Sequence, residues 1–301
     1  MQINTSAWAI GVDIGGTKIA AALIDDKGAI HHRQQIKTPT QSAETLFKAV
    51  VKSIQTVLDN AQLQVSDIQG IGLGVPGKVD IHNGIAVYQN NLPWGNFPVV
   101  ARLQAVFPDT KIAIDNDVKV AAYAEYRAAA LGEDEIFTYL TISTGIASTT
   151  IVNNQILRGA GFAGEVGFLP INFAKPYHTL ENNAAGPGIE SRARIIYGNK
   201  RLTTADVFSD WATEVEPGYT IVEKTISDVA LAVYSMICFL DPTAITLGGS
   251  VTLKNPTYLQ SLNKYLLKWL HPEQMHIISR LSLSTMGSDN GLIGAAWLVM
   301  S

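Results

Sequence analysis

Trp8-Ala9-Ile10-Gly11-Val12-Asp13-Ile14-Gly15-Gly16-Thr17-Lys18, followed by the apolar run Ile19 to Ile24, is the stretch whose reading decides the fold. An apolar run, a glycine pair and a second apolar run read as strand, tight turn and strand, because glycine pairs punctuate β-rich segments. Two glycines at such a turn let backbone N–H groups close on an anion without Cβ obstruction, Thr17 adds a hydroxyl and Lys18 a charge. These are the parts a phosphate group needs. The turn is not a Walker loop: Thr17-Lys18 reverses the Lys-then-Ser/Thr order, and a strand follows where a helix would stand. A plain hairpin turn would carry the same letters. Asp13 discriminates between the two, since a carboxylate at the end of a buried apolar strand is costly unless it meets a metal or a donor.

Working outward, Asp25-Asp26-Lys27-Gly28 makes a second turn, and a third extended segment runs through Ile36. From Ser42 to Leu58 the apolar positions Leu46, Ala49, Val50, Ile54, Val57 and Leu58 recur at helical spacing. Gly70 to Val75 reads as a buried strand, Lys111 to Ile114 as a short strand, and Asp117 to Ala130 as a helix. The opening pattern then returns about 130 residues later: strand Phe137 to Ile142, turn Ser143-Thr144-Gly145, strand Ala147 to Val152, turn Asn153-Asn154, strand Gln155 to Leu157. Two such units predict two related halves with a cleft between them. Thr225 to Leu240 is a long apolar helix, Ala244 to Leu247 a strand ending in Gly248-Gly249-Ser250, and Asn290 to Met300 a closing helix. No Pro/Ser-rich linker separates the halves, and the boundary is placed near Val118.

Composition excludes several classes. The 301 residues are 47% hydrophobic and 16% charged, enough for one large or two medium cores. A formal charge of −4 offers no footprint for nucleic acid or an acidic membrane surface. The single cysteine, Cys238, excludes an intramolecular disulfide and a multi-cysteine metal site. Flanked by Ile237 and Phe239 in the apolar helix, it reads as a core residue. The first residues lack the basic region of a signal peptide, and no apolar stretch is long enough to span a membrane. A cytoplasmic protein is expected.

Other motifs are weaker taken singly. Gly72-Leu73-Gly74-Val75-Pro76-Gly77 matches a dinucleotide fingerprint by letter, but Pro76-Gly77 leads into Lys78-Val79-Asp80 and a turn where that site needs a helix. Ile114-Asp115-Asn116-Asp117 lies at a strand-to-helix junction. Asp117 there has the makings of a general base beside an amide that orients a hydroxyl, although either Asn116 or Asp117 could serve as a plain helix cap. Gly164-Glu165-Val166-Gly167 and Leu180-Glu181-Asn182-Asn183 place further carboxylates beside glycine or amide residues, a set that can hydrogen-bond sugar hydroxyls. The six histidines show no metal-ligand spacing.

Taken together, Asp13 to Lys18, Gly74 to Gly77, Asn90-Asn91-Leu92-Pro93-Trp94, Asn116-Asp117, Ser143 to Ile146, Gly161 to Gly167, Glu181 to Gly186 and Gly248-Gly249-Ser250 resemble the ROK family of sugar kinases in order and spacing. The resemblance implies the actin-like ATPase (ribonuclease H-like) fold: two α/β domains flanking a central cleft, residues 1–117 smaller with 289–301 returning to it, and residues 118–288 larger. It implies ATP and Mg2+ as cofactors, ATP and a small sugar as partners, no nucleic acid or membrane partner, and a homodimer. It makes Asp117 the catalytic base, with Asn91, Asn116, Glu165 and Glu181 on the sugar. Gly15, Gly16, Thr17, Lys18, Thr144 and Gly145 would bracket the ATP phosphates, Gly248 and Gly249 would pass near the adenosine, and Asp13 would orient magnesium, directly or through water.

Two departures stand out. Ser143 and Ala147-Ser148 replace glycines of the family's second phosphate turn. The family's zinc site uses a histidine after Gly-Glu-x-Gly and a cysteine-rich loop, whereas this chain has Phe168 and, from Asn172 to Leu180, no cysteine. No zinc site is expected. The implied activity is ATP-dependent phosphorylation of a hexose, hexosamine or glucoside at the 6-hydroxyl. The alternative is a sugar-binding sensor or regulator with little catalysis, since the family also includes repressors; those carry an N-terminal DNA-binding module, for which the first strand near Trp8 leaves no room.

Overall fold

A computed structural model describes residues 7–89, 91–172 and 178–300. The chain opens with three antiparallel strands, β1 (Trp8–Ile14), β2 (Lys18–Asp25) and β3 (Ile30–Lys37), joined by the turns read from the glycine and Asp/Gly clusters. Helix α1 (Ala43–Ala61) starts at Ser42, whose Oγ accepts from Thr45 N at 3.1 Å and satisfies one orphan donor of the first turn. Its buried stripe, Leu46, Val50, Ile54, Val57 and Leu58, packs on β2 and β3. Strand β4 (Ile71–Val75) is buried throughout; β5 (Lys78–Asp80), β6 (Ile85–Tyr88) and β7 (Gly95–Phe97) form a small antiparallel sheet. Helix α2 (Val99–Val106), strand β8 (Ile112–Asn116) and helix α3 (Asp117–Ala129) complete this run.

The main sheet of this first unit has the order β3-β2-β1-β4-β8, with β1, β4 and β8 parallel. The second unit repeats the plan. Strands β9 (Phe137–Ile142), β10 (Ile146–Val152) and β11 (Gln155–Ile156) form an antiparallel run, and β12 (Pro170–Asn172) pairs with β13 (His178–Thr179). Helices α4 (Leu180–Ala184), α5 (Gly186–Tyr197), α6 (Thr204–Ala212) and α7 (Gly218–Leu240) follow. Then come β14 (Ala244–Gly248), α8 (Ser250–Leu253), α9 (Tyr258–Leu266), α10 (Ile277–Arg280) and β15 (Leu281–Leu283). Its sheet runs β11-β10-β9-β14-β15, with β9, β14 and β15 parallel. Three antiparallel strands followed outward by two parallel ones in each unit is the internal symmetry that the recurring strand-turn-strand pattern anticipates.

The closing helix α11 (Asn290–Met300) returns to the first unit and packs on α3, β1 and β4. The division falls at Ala129/Ala130 and again at Gly287/Ser288. The sequence reading places it at Asp117/Val118 and 288/289, but α3 is one unbroken helix that packs along α11 and so stays with the first unit. Each unit has its own apolar cluster: Ile10, Val12, Leu46, Ile54, Leu73 and Leu103 lie in the first, and Leu140, Val229, Val233, Leu247 and Tyr258 in the second.

Cys238 corrects a sequence expectation. It is exposed, next to Phe239 at 86% exposure, because the buried stripe of α7 passes through Val229, Ala232, Val233, Met236 and Ile237 and leaves the two following residues on the other face. Uniform apolarity along the helix hid that asymmetry.

Candidate active site

In the first unit, residues singled out by sequence converge at the C-terminal ends of the parallel strands. Register aligns Asp13 of β1 with Gly74 of β4, and Gly74 with Asp115 of β8, so the end of β8 delivers Asn116 and Asp117 to the edge where β1 delivers Asp13. That edge is where open α/β sheets place ligands, because strand ends and helix N-termini meet there. The Gly15-Gly16-Thr17 turn adjoins it. Gly15 N donates to Lys18 O at 2.9 Å, Thr38 Oγ1 donates to Gly15 O at 2.6 Å, and Thr38 N donates to Thr17 O at 3.0 Å. Gly16 and Thr17 remain exposed. Asn91 stands against this turn, its Cβ 2.9 Å from where a Gly16 side chain would begin. Asn90, quoted with it in the sequence reading, lies outside the described residues.

Asp117 opens α3 and is half-buried, and its Oδ1 accepts from Val118 N at 2.9 Å. Asn116 does more local work than the sequence reading implies. Its Oδ1 accepts from Val118 N and Lys119 N at 3.0 and 3.2 Å, and its Nδ2 donates to Gly77 O at 3.0 Å. It therefore caps α3 and ties that helix to the Pro76-Gly77 turn, which is the plain-cap reading left open at this junction.

Asp13 sits where burial pushes its carboxyl up to about 6; the nearby Asp117 charge pushes the same way, and Lys18 and Arg33 oppose it. The N-terminal end of α11 adjoins it, with Gly291's missing Cβ 3.3 Å from the Asp13 carboxyl carbon. The folded state therefore holds this proton more tightly than the unfolded chain, and stability falls as pH rises from about 4 through about 6. Asp13→Asn is expected to raise the unfolding free energy of the metal-free protein by about 1–3 kcal/mol at pH 7–8. The gain should vanish near pH 4, where Asp13 carries its proton in both states. Urea titrations in EDTA at the two pH values check this, and an equal effect at both would contradict it.

The second unit gathers the other set at the ends of β9 and β14. Ser143 organises it: its N donates to Gly145 O at 2.9 Å, its O accepts from Gly186 N at 2.8 Å, and its Oγ lies 3.1 Å from Ser250 Oγ at the start of α8. The serine that departs from the family's glycine thus cross-links the second turn to the Gly248-Gly249-Ser250 loop. Gly249 needs its place in the chain, with φ of 88° and its absent Cβ only 2.3 Å from Ile142 O. Thr144 is exposed at the tip of the turn.

Glu181 lies on α4 and turns one oxygen to this same turn, Oε2 accepting from Ile146 N at 2.9 Å and pressing close to the backbones of Gly145 and Gly167. Glu165 is exposed on a loop held from below, where Ser148 N donates to Gly164 O at 2.7 Å and Ser148 Oγ donates to it at 3.2 Å. Phe168, at the position of the family's zinc-site histidine, is 64% exposed. Residues 173–177 of the adjoining loop lie outside the described residues, and among the described residues no group of three or more His, Cys, Asp or Glu is disposed to hold a metal. Thr38 and Gly291 are residues that sequence reading missed, and Gly186 and Ser250 stand within quoted motifs that gave them no role of their own. Only the Asn290-Gly291 pair opening a helix carried a local signal, since the others act through contacts distant in sequence.

A family model described as the ROK family matches residues 9–301. A glucokinase of Halalkalibacterium halodurans is 28% identical over 97% of this chain and 94% of that protein. An N-acetylmannosamine kinase of Haemophilus influenzae is 29% identical over 96% of this chain and 94% of its own. The crystal structure of a ROK family glucokinase from Streptomyces griseus in complex with glucose and AMPPNP superposes with a TM-score of 0.78, 22% identity, and coverage of 97% of this chain and 99% of that one. The fold is the actin-like ATPase fold.

Proposed function

From the premise that this chain belongs to the ROK family, we propose that it is an ATP-dependent sugar kinase acting on the 6-hydroxyl of a hexose, hexosamine or glucoside. The observation that carries the reading is the placement of Asp117 at the head of α3, beside Asp13 and on the same sheet edge as the Gly15–Lys18 turn. Asp117 takes the proton of the attacking hydroxyl. The hydroxyl oxygen bonds to the γ-phosphorus as the bond to the β,γ-bridging oxygen breaks, and ADP leaves. Little covalent chemistry is asked of the protein, so positioning and charge neutralisation do most of the work.

Val118 N donates to the Asp117 carboxylate and aims it, at the end of α3 where the helix dipole favours negative charge. Asn91 and Glu165 orient other hydroxyls, and Asn116 contributes by fixing the base's helix. The Gly15–Lys18 turn supplies N–H groups, a hydroxyl and an ammonium to phosphate oxygens, and the Ser143–Gly145 turn, braced by Glu181, supplies a second set. The residues fit a magnesium ion: two mutually repelling carboxylates, one of them driven toward protonation by burial, are relieved by a divalent cation. Asp13 would hold that ion, which when bound neutralises the charge on the transferring phosphoryl group.

The test is a coupled MgATP assay over glucose, mannose, fructose, N-acetylmannosamine, N-acetylglucosamine and β-glucosides, with 31P NMR to locate the new phosphate. Turnover of at least one sugar, with the product phosphorylated at O6, is expected. Inactivity across the panel with sugar binding retained would favour the sensor.

A further inference from the structure

Beneath the second turn lies a polar cluster inside the apolar core of the second unit. Asp228 of α7 is 4% exposed, and its carboxylate accepts from Asn183 Nδ2 at 2.9 Å and Lys224 Nζ at 2.6 Å. Arg192 of α5 donates through Nη2 to Asn183 O at 2.8 Å and to Thr225 Oγ1 at 2.6 Å. The Nε of Arg192 and the hydroxyl of the fully buried Tyr258 have no hydrogen-bond partner among the described residues. Such a cluster costs stability that apolar residues of like volume would not. Its return has to be sought in what it holds.

What it holds is α4. A helix of five residues has no stability of its own. The side chain of Asn183 is clasped by Asp228, and its backbone carbonyl, in the last turn of α4, is clasped by Arg192. Two residues earlier on the same helix, Glu181 Oε2 takes the Ile146 N–H at the base of the Ser143–Gly145 turn.

We infer that Asp228, with Arg192 and Asn183, is a positioning set that fixes α4 so that Glu181 braces the second phosphate turn from beneath. The inference rests on the kinase reading only in taking that turn to meet phosphate. The bond that matters is the acceptor offered to Asn183. Lys224 is largely exposed and serves Asp228 from the solvent side.

The experiment compares Asp228→Ala, Asp228→Asn, Asn183→Ala and Lys224→Ala by amide hydrogen exchange at Ile146 and by the KM for ATP. Asp228→Ala and Asn183→Ala are expected to speed Ile146 exchange and raise the KM for ATP by about tenfold each, the scale of one lost hydrogen bond. Asp228→Asn keeps an acceptor for Asn183 and should stay within about twofold of wild type, as should Lys224→Ala. A lowered thermal midpoint in Asp228→Ala with wild-type Ile146 exchange and KM would overturn the inference and leave a purely structural cluster. So would an Asp228→Asn variant as impaired as Asp228→Ala. Should Asp228→Ala not fold, Asn183→Ala carries the same decision. A wild-type protein inactive on every sugar would refute the kinase reading, while the exchange comparison would still decide this one.

Discussion

Asp117→Asn is expected to lower kcat by about a thousandfold or more while leaving sugar affinity within about twofold. The amide keeps the shape of the carboxylate and an oxygen that accepts from Val118 N, and Asn116 still caps α3. The helix and the groups proposed to contact the sugar therefore stay in place. What is lost is the ability to take a proton as the hydroxyl oxygen attacks phosphorus. Without it the oxygen must attack while still protonated or give its proton to water, and the loss falls on kcat. Coupled assay and calorimetric sugar binding measure the two quantities separately. Wild-type turnover would remove Asp117 from the base role, and equal loss of binding would mean that the side chain holds the sugar instead. The substitution has a second readout, because Asp117 raises the Asp13 carboxyl through its charge. Neutralising it should make the metal-free protein more stable at pH 7, in the same direction as Asp13→Asn and by a smaller amount, since burial is the larger cause.

Much of this site could be read before any coordinates because its signals are local. A glycine pair between two apolar runs, an Asp at a strand end and an Asn-Asp at a strand-to-helix junction are patterns within a few residues, and the structure places all three on one sheet edge. The closing helix is read at its observed bounds, and α1 to within a few residues, for the same reason: the chain carries a Ser42 cap and a helical stripe there. What escaped depends on partners far away in sequence. Glu181 reads as a sugar ligand, yet one of its oxygens serves Ile146 N. Ser143 reads as a lost glycine, yet it reaches Ser250 across more than a hundred residues. Cys238 reads as core because every neighbour is apolar, and only packing tells which face of α7 is covered. The domain boundary is misplaced because nothing in the letters of α3 records that α11 returns to lie along it.

Gly72→Ala and Gly294→Ala are each expected to destabilise the protein by about 4 kcal/mol or more, a magnitude reserved for a short set of mechanisms. The first of these positions explains one of the glycines that imitate a dinucleotide fingerprint. A Cβ on Gly72 of β4 would lie 1.7 Å from Ala295 O of α11, and one on Gly294 would lie 1.7 Å from Val120 O of α3. Both obstacles are backbone oxygens, so no side-chain rotation gives way, and α11 must lift off the sheet or off α3. Local preference runs the other way, because alanine is the better residue in either a strand or a helix interior. Any loss is therefore packing alone. Lifting α11 would also uncover Leu292, Ala295, Ala296 and Val299, all buried now. It would draw the Asn290-Gly291 end away from Asp13 as well, so activity should fall further than the folded fraction does. Gly95→Ala is the control: a Cβ there meets nothing within 4 Å, and its unfolding free energy should stay within about 0.5 kcal/mol of wild type. Urea unfolding of the three variants separates the cases. A Gly72→Ala protein as stable as the control would mean that α11 does not seat on β4 at this distance, and the positioning of Asp13 by that helix would fall with it.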